Sequence, residues 1–218
     1  MIRTIYLHGF ASGPSSAKAR YFLQRLTPAG IALEIPDLAR GCFEELTITS
    51  QLAVVEELAG DRPVALMGSS LGGYLAALYA AHHPSVERLV LLAPAFGFAP
   101  RWTERLGAVG VEQWRRTGWI EVFHYGEHRN CRLGHQFLED AARYEPAPDF
   151  RQPALIFHGI RDDVVPPSTS EAFARTHPNA RLELLDSGHE LLDVLDRIAP
   201  PVEAFLLGPQ TSPRNLGS

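Results

Sequence analysis

The sequence predicts an α/β fold with a minimal core of about six parallel strands, helices on both faces and a small cap insert. Two patterns predict this: short apolar runs of strand length recur along the chain, and stretches with helical periodicity separate them. One long stretch between two of the runs breaks the alternation and marks the insert. Alternating β and α of this kind favours parallel pairing with right-handed crossovers.

The apolar runs are Ile2–Leu7, Ala32–Ile35, Val64–Met67, Leu89–Ala93, Ala154–Phe157 and Leu182–Leu185. Several lack a polar face, as strands covered on both sides do. Ala19, Phe22, Leu23 and Leu26 fall at i, i+3, i+4 and i+7 and predict a first helix ended by Pro28 and Gly30. Ile48, Leu52, Val55 and Ala59 predict a second, ended by Gly60. Leu71, Leu75 and Leu78 predict a third, running to His83 before Pro84. Ser168-Thr169-Ser170-Glu171 reads as a capping box opening another. Leu191, Leu195 and Ile198 mark the last, with a break or restart expected at Pro200-Pro201.

Residues 97–152 are far longer than one crossover needs, and they carry all three tryptophans, Trp102, Trp114 and Trp119. A helix near 102–106, a hairpin through Ile120–Cys131 and a helix over His135–Tyr144 are expected there. Such an insert is usually a cap over a site or a decorated loop. The organisation predicted is one domain over 1–207, with the cap at 97–152, and a disordered tail over 208–218.

Composition narrows the function. The 218 residues are 45% hydrophobic and 21% charged, ample for a packed core and inconsistent with disorder as the main state. A net charge of -5 supplies no basic field, so no nucleic-acid partner is expected. The Gly-broken run Ala65–Ala81 is too short for a membrane span. Cys42 and Cys131 form neither a CxxC unit nor a disulfide framework, and Met1 is followed almost at once by a strand pattern. A cytoplasmic protein without a leader peptide is expected, as a monomer or weak homo-oligomer.

Gly68-Ser69-Ser70-Leu71-Gly72 matches G-x-S-x-G, a weak signal alone. Its context is stronger, because it follows the Val64–Met67 run and opens the Leu71–His83 helix. A nucleophile on a sharp strand-to-helix turn needs small residues two before and two after it, and Gly68 and Gly72 supply them around Ser70. A serine needs a base. His189, in Ser187-Gly188-His189-Glu190, follows the last strand and is the best-placed histidine. The base needs an acid, and His158-Gly159-Ile160-Arg161-Asp162-Asp163-Val164-Val165-Pro166 follows the penultimate strand with either Asp162 or Asp163 available. His124, His128, Cys131 and His135 cluster within the insert. Gly126 argues against the helix that would align the first two, HExxH is absent, and no metal site is assigned.

Tyr6 to Ala19 reads Y-L-H-G-F-x-S-x-P-x-S-x-K-A. With G-S-S-L-G-G-Y at 68–74 it resembles the small bacterial YqiA-type esterases of the α/β-hydrolase superfamily, over residues 2–96 and 153–206. The H-G-x-x-D-D-V-V-P segment at 158–166 is similar to the acid loop of broader carboxylesterase, dienelactone-hydrolase and acyl-thioesterase relatives. The resemblance implies an α/β-hydrolase fold with Ser70, Asp162 and His189 as catalytic residues, Asp162 being chosen over Asp163 by that loop. It further implies an oxyanion hole from the backbone N–H groups of Phe10 and Leu71, with His8 holding the loop.

The function expected is hydrolysis of a small-molecule carboxylic ester or thioester with a short to medium apolar acyl chain, without metal or organic cofactor. Phe10, Phe96, Phe98, Trp102, Val164, Val165 and Leu191 are the candidate substrate-binding residues. Hydrolysis of charged acyl groups would instead direct attention to Arg101, Arg105 or Arg161. Peptidase or haloperoxidase-like chemistry on the same triad, or a non-catalytic small-molecule receptor, are the alternatives.

Overall fold

The computed structural model describes residues 3–208, so Ile2 and the expected tail beyond Gly208 lie outside the described residues. Six strands form one parallel sheet: β1 (Arg3–Leu7), β2 (Ala32–Glu34), β3 (Val64–Ser69), β4 (Val86–Leu92), β7 (Ala154–Gly159) and β8 (Ala180–Leu185). Their order is β2-β1-β3-β4-β7-β8. The chain runs outward from β1 to β2 and then returns to lay β3 on the other side of β1. This reversal opens a crevice at the carboxyl ends of β1 and β3, where open α/β sheets bind ligands. Leu7 pairs with Gly68 in register, and Gly159 with Leu185, so the loops after β1, β3, β7 and β8 leave the same edge.

Burial explains which runs became interior strands. Every residue of β3 and β7 is buried, whereas β2 has three residues and none of them is fully buried, as befits an edge. On one face α1 (Ala17–Leu26) and α7 (Leu195–Leu207) pack Phe22, Leu26, Ile198 and Val202 against Tyr6, Met67 and Phe157. On the other, α2 (Ile48–Ala59), α3 (Leu71–His82) and α6 (Pro167–Thr176) cover Ile5, Leu66 and Leu91. Ten of the twelve residues of α3 are buried, which its all-round apolar sequence requires.

Two predicted boundaries differ. The helix expected after a Ser168 cap begins two residues earlier, at Pro167, and has no side-chain cap. Proline pre-sets the helical φ there and forfeits an N–H that would be unpaired anyway. Ser170 is buried in this helix, and its hydroxyl bonds His158. The break expected at Pro200-Pro201 does not occur, and α7 continues through both prolines. Ile198, Ala199, Val202 and Leu206 are all buried by this helix, which offsets the missing backbone hydrogen bonds.

The insert holds α4 (Phe98–Thr117), a hairpin of β5 (Trp119–His124) and β6 (Arg129–Gly134), and α5 (Gln136–Ala141). Here α4 is two helical segments that meet at Gly107, whose φ of 64° and ψ of 168° are not helical, and the first segment covers the helix expected near 102–106. Trp114 is fully buried and donates from Nε1 to the Leu133 carbonyl at 3.1 Å, so it ties α4 to the hairpin. Trp119 instead stacks under the Arg132 guanidinium at 4.2 Å.

The tightest point of the fold is the approach of α3 to β1 and β3. A Cβ on Gly68 would come within 2.2 Å of the Gly72 carbonyl oxygen, and one on Gly72 within 2.0 Å of the Leu7 carbonyl oxygen. Both obstacles are backbone, so neither can swing aside. Gly72→Ala is expected to lose about 2 kcal/mol or more of stability in urea unfolding, as overpacked core sites do. Gly13→Ala, where a Cβ meets nothing within 4 Å, should stay within about 0.5 kcal/mol of the parent.

Candidate active site

Ser70 stands between β3 and α3 with φ of 53° and ψ of -117°, a strained conformation for a residue with a side chain. The turn is held from all sides. The Ser70 amide donates to the Leu92 carbonyl at 2.9 Å, and the Ser70 carbonyl accepts from the amides of Gly73, Tyr74 and Ala95. The side chain is thereby aimed out of the crevice floor.

His189 lies on the loop between β8 and α7. The Ser70 hydroxyl donates to His189 Nε2 at 3.0 Å, and His189 Nδ1 donates to Asp162 Oδ2 at 2.7 Å. The carboxylate can only accept, which sets the tautomer of the ring. Asp162 Oδ1 accepts from the amides of Val164 at 2.9 Å and Val165 at 2.8 Å, in the turn after β7. Asp163, the other acid considered, is exposed.

His158 was part of a sequence motif but had no role read from it. It is fully buried on β7, its Nε2 lying 2.9 Å from the Val165 carbonyl and 3.1 Å from Asp162 Oδ2. The Ser170 hydroxyl holds its Nδ1 at 2.7 Å. Burial alone would raise the Asp162 pKa. The donors from His158, His189 and Val165, with the charge of His189, reverse that and hold the carboxyl far below the ordinary range.

Lys18, the only lysine, is buried and also escaped sequence reasoning. Its Nζ donates to the Glu190 carbonyl at 2.9 Å and to Glu190 Oε2 at 3.2 Å, so α1 clamps the residue after His189. A single buried charge on an otherwise amphipathic helix was the available signal. His8 accepts from the Leu38 amide through Nε2 at 3.3 Å, which leaves Nδ1–H to donate to the Gly9 carbonyl at 3.0 Å. Burial pushes its pKa down. The ring thus links the loop that carries Phe10, through Gly9, to the segment after β2, through Leu38. Leu71 is the first residue of α3, a position whose amide has no acceptor within the helix.

The Phe10 ring is surrounded by Phe43, Phe98, Trp102 and Phe137, with centroids 5.5, 6.2, 5.0 and 5.4 Å away. Three of these four come from the insert. The hairpin also reaches this loop, because the Tyr125 amide donates to the Ala11 carbonyl at 2.7 Å. Phe96 lies elsewhere, stacked on Phe173 at 4.4 Å. Val165 and Leu191 are 2% and 1% exposed and offer little surface to a ligand, while Val164 is 51% exposed. Within the histidine cluster, His124 packs edge-on against Phe43 and its Nδ1 accepts from the Glu127 amide, and His135 packs against Trp114.

A nucleophile-elbow turn, a serine-histidine-aspartate chain from three strand ends and this sheet order define the class of α/β hydrolases. The chain belongs to UPF0227, an uncharacterised protein family whose model matches residues 3–206. It is 29% identical to the pimeloyl-[acyl-carrier protein] methyl ester esterase of Aromatoleum aromaticum, over 85% of this chain and 90% of that one. It is 28% identical to the mitochondrial palmitoyl-protein thioesterase ABHD10 of Bos taurus, over 76% of this chain and 58% of that one. Among solved structures, ferulic acid-bound Est1E from Butyrivibrio proteoclasticus superposes with a TM-score of 0.79 at 22% identity, covering 95% of this chain and 88% of that one. No helix among the described residues is long and apolar enough to cross a membrane.

The depressed Asp162 pKa makes stability depend on acid. A carboxyl whose folded pKa lies below its unfolded value, about 4, stabilises fully above that value and loses the contribution as pH falls toward the folded one. Thermal midpoints should therefore drop as pH is lowered from about 4 toward 2. The drop should be shallower in Asp162→Asn; an equal slope in the two proteins would assign the acid sensitivity to other carboxyls.

Proposed function

We propose that this protein is a serine hydrolase of carboxylic esters or thioesters, with Ser70 as nucleophile, His189 as base and Asp162 as the acid that orients it. The observation that carries this reading is the unbroken chain from Ser70 Oγ through His189 to Asp162, with links of 3.0 and 2.7 Å, at a strained elbow. Ser70 Oγ attacks the acyl carbonyl as its proton passes to His189 Nε2. Asp162 stabilises the imidazolium, and its four hydrogen-bonding neighbours keep it anionic while it does so. The carbonyl oxygen becomes an oxyanion, for which the Phe10 and Leu71 amides are the proposed donors, aided by the positive end of α3. His189 then gives its proton to the leaving alcohol or thiol. Water, deprotonated by His189, attacks the acyl-enzyme and releases the acid.

Phe10 and Trp102, backed by the buried Phe98, form the apolar wall proposed for the acyl chain. This supports short to medium apolar acyl groups, each buried methylene adding about 0.8 kcal/mol until the pocket is full. That the two relatives named above are an esterase and a thioesterase agrees with acyl transfer to water as the reaction class. The unpaired cysteines, Cys42 exposed and Cys131 buried, suit a reducing cytoplasmic setting.

Ser70→Ala should abolish both hydrolysis of activated acyl esters and labelling by a fluorophosphonate probe, with folding intact by circular dichroism. Asp162→Asn should lower kcat by about 10⁴, the cost of removing a triad acid, and Asp163→Asn should leave it within a few-fold. Retention of activity in Ser70→Ala would end this reading. A reversed ranking of the two aspartates would move the acid to Asp163.

A further inference from the structure

Arg101 lies in the first turn of α4, on the same face as Phe98 by its i+3 spacing. The Phe98 ring packs on Phe10, which brings this face of α4 over the loop after β1. Nε and Nη1 of Arg101 are shielded from solvent, and among the described residues neither finds an acceptor. A guanidinium that gives up hydration without a partner is costly, and such groups in a folded protein call for an explanation. Burial works against its charge, and the one acid whose field supports it is Asp162. Asp162 cannot serve as its partner, because both carboxylate oxygens are already taken by the two histidines and two amides.

We propose that Arg101 binds an oxyanion, phosphate or carboxylate, carried by the leaving alcohol or thiol of the substrate. The assignment to the leaving side rests on the hydrolase reading above and follows from its proton path. His189 Nε2 must hand its proton to the departing atom, so the leaving group sits toward His189 and the Asp162 loop. Asp162 is also the acid nearest in influence to Arg101. The acyl chain then lies along the aromatic wall, where a charge would be poorly solvated. A planar guanidinium with unpartnered N–H groups suits charge-assisted capture of a phosphate or carboxylate.

The test compares butanoyl glycerol 3-phosphate with butanoyl glycerol, which differ only in the leaving-group phosphate. S-butanoyl 3-mercaptopropionate against its amide does the same for a carboxylate, and succinyl against butanoyl glycerol places the charge on the acyl side. The parent should favour a charged leaving group in kcat/KM by about 10- to 100-fold, the span of a charge-assisted hydrogen bond. The larger ratio of the two leaving-group pairs identifies the anion. Arg101→Gln should bring that ratio near one, chiefly through KM, and Arg101→Lys should retain part of it. A packing role would lower both members of a pair and keep the ratio, which would overturn the proposal. So would the absence of a preference in the parent, or a preference confined to the succinyl ester. Should none of these esters nor an activated butanoyl ester be cleaved, the hydrolase reading fails separately. The oxyanion subsite then stands only if millimolar glycerol 3-phosphate or 3-mercaptopropionate raises the thermal midpoint of the parent and not of Arg101→Gln, and falls if neither does.

Discussion

The site depends on one steric constraint, the near-contact of α3 with the ends of β1 and β3. The Gly68 and Gly72 backbones approach so closely that no side chain fits at either position. That approach lets the chain reverse direction within one residue, and Ser70 bears the resulting positive φ. The strain is held by the buried strands on either side and by three amides bonded to the Ser70 carbonyl. A looser turn would relieve Ser70 and lower its hydroxyl into the crevice floor. The same geometry points the first amides of α3 at the proposed oxyanion position, so one turn serves both the nucleophile and its electrostatics.

A second set of constraints aligns the parts that come from the far end of the chain. Asp162 and His189 sit on loops after β7 and β8, across β4 from the elbow. Their positions are locked by groups that do no proposed chemistry. His158 and Ser170 brace the carboxylate from inside the sheet, and Lys18 braces the histidine loop from α1. Lys18 therefore links the amino-terminal helix, the last loop and the proposed base. A buried ammonium is costly, and a carbonyl and a carboxylate of the same residue offset that cost here.

The insert packs on the loop after β1. Its aromatic side chains divide between two tasks. Trp114 binds α4 to the hairpin as an internal core, while Phe98, Trp102 and Phe137 pack on Phe10. The insert thus stiffens the loop proposed to supply an oxyanion donor, and it carries Arg101 to the same region. Positioning and specificity come from one element, grafted onto a core that supplies the reacting groups.

The sequence by itself determined the sheet, the helices around it and the candidate nucleophile, base and acid. Those rest on local rules: apolar runs of strand length, 3.6-residue periodicity, and small residues flanking a serine at a strand-to-helix turn. Choosing Asp162 over Asp163 needed the family resemblance, because both lie in one turn and local chemistry does not separate them. Only the tertiary structure decided which side chains brace and line the site. His158, Lys18 and Arg101 take their meaning from partners, or the lack of them, far away in sequence, such as Glu190 for Lys18. Phe96, Phe98, Val165 and Leu191 looked equivalent to Phe10 and Trp102 as apolar residues near the motifs, but packing turned their side chains into the core. Even Pro200 and Pro201, whose local rule predicts a break, were overruled by the area that a continuous α7 buries. Local chemistry writes the elements and the reacting groups, while burial and long-range pairing select what surrounds them, and one-dimensional patterns carry no record of those distances.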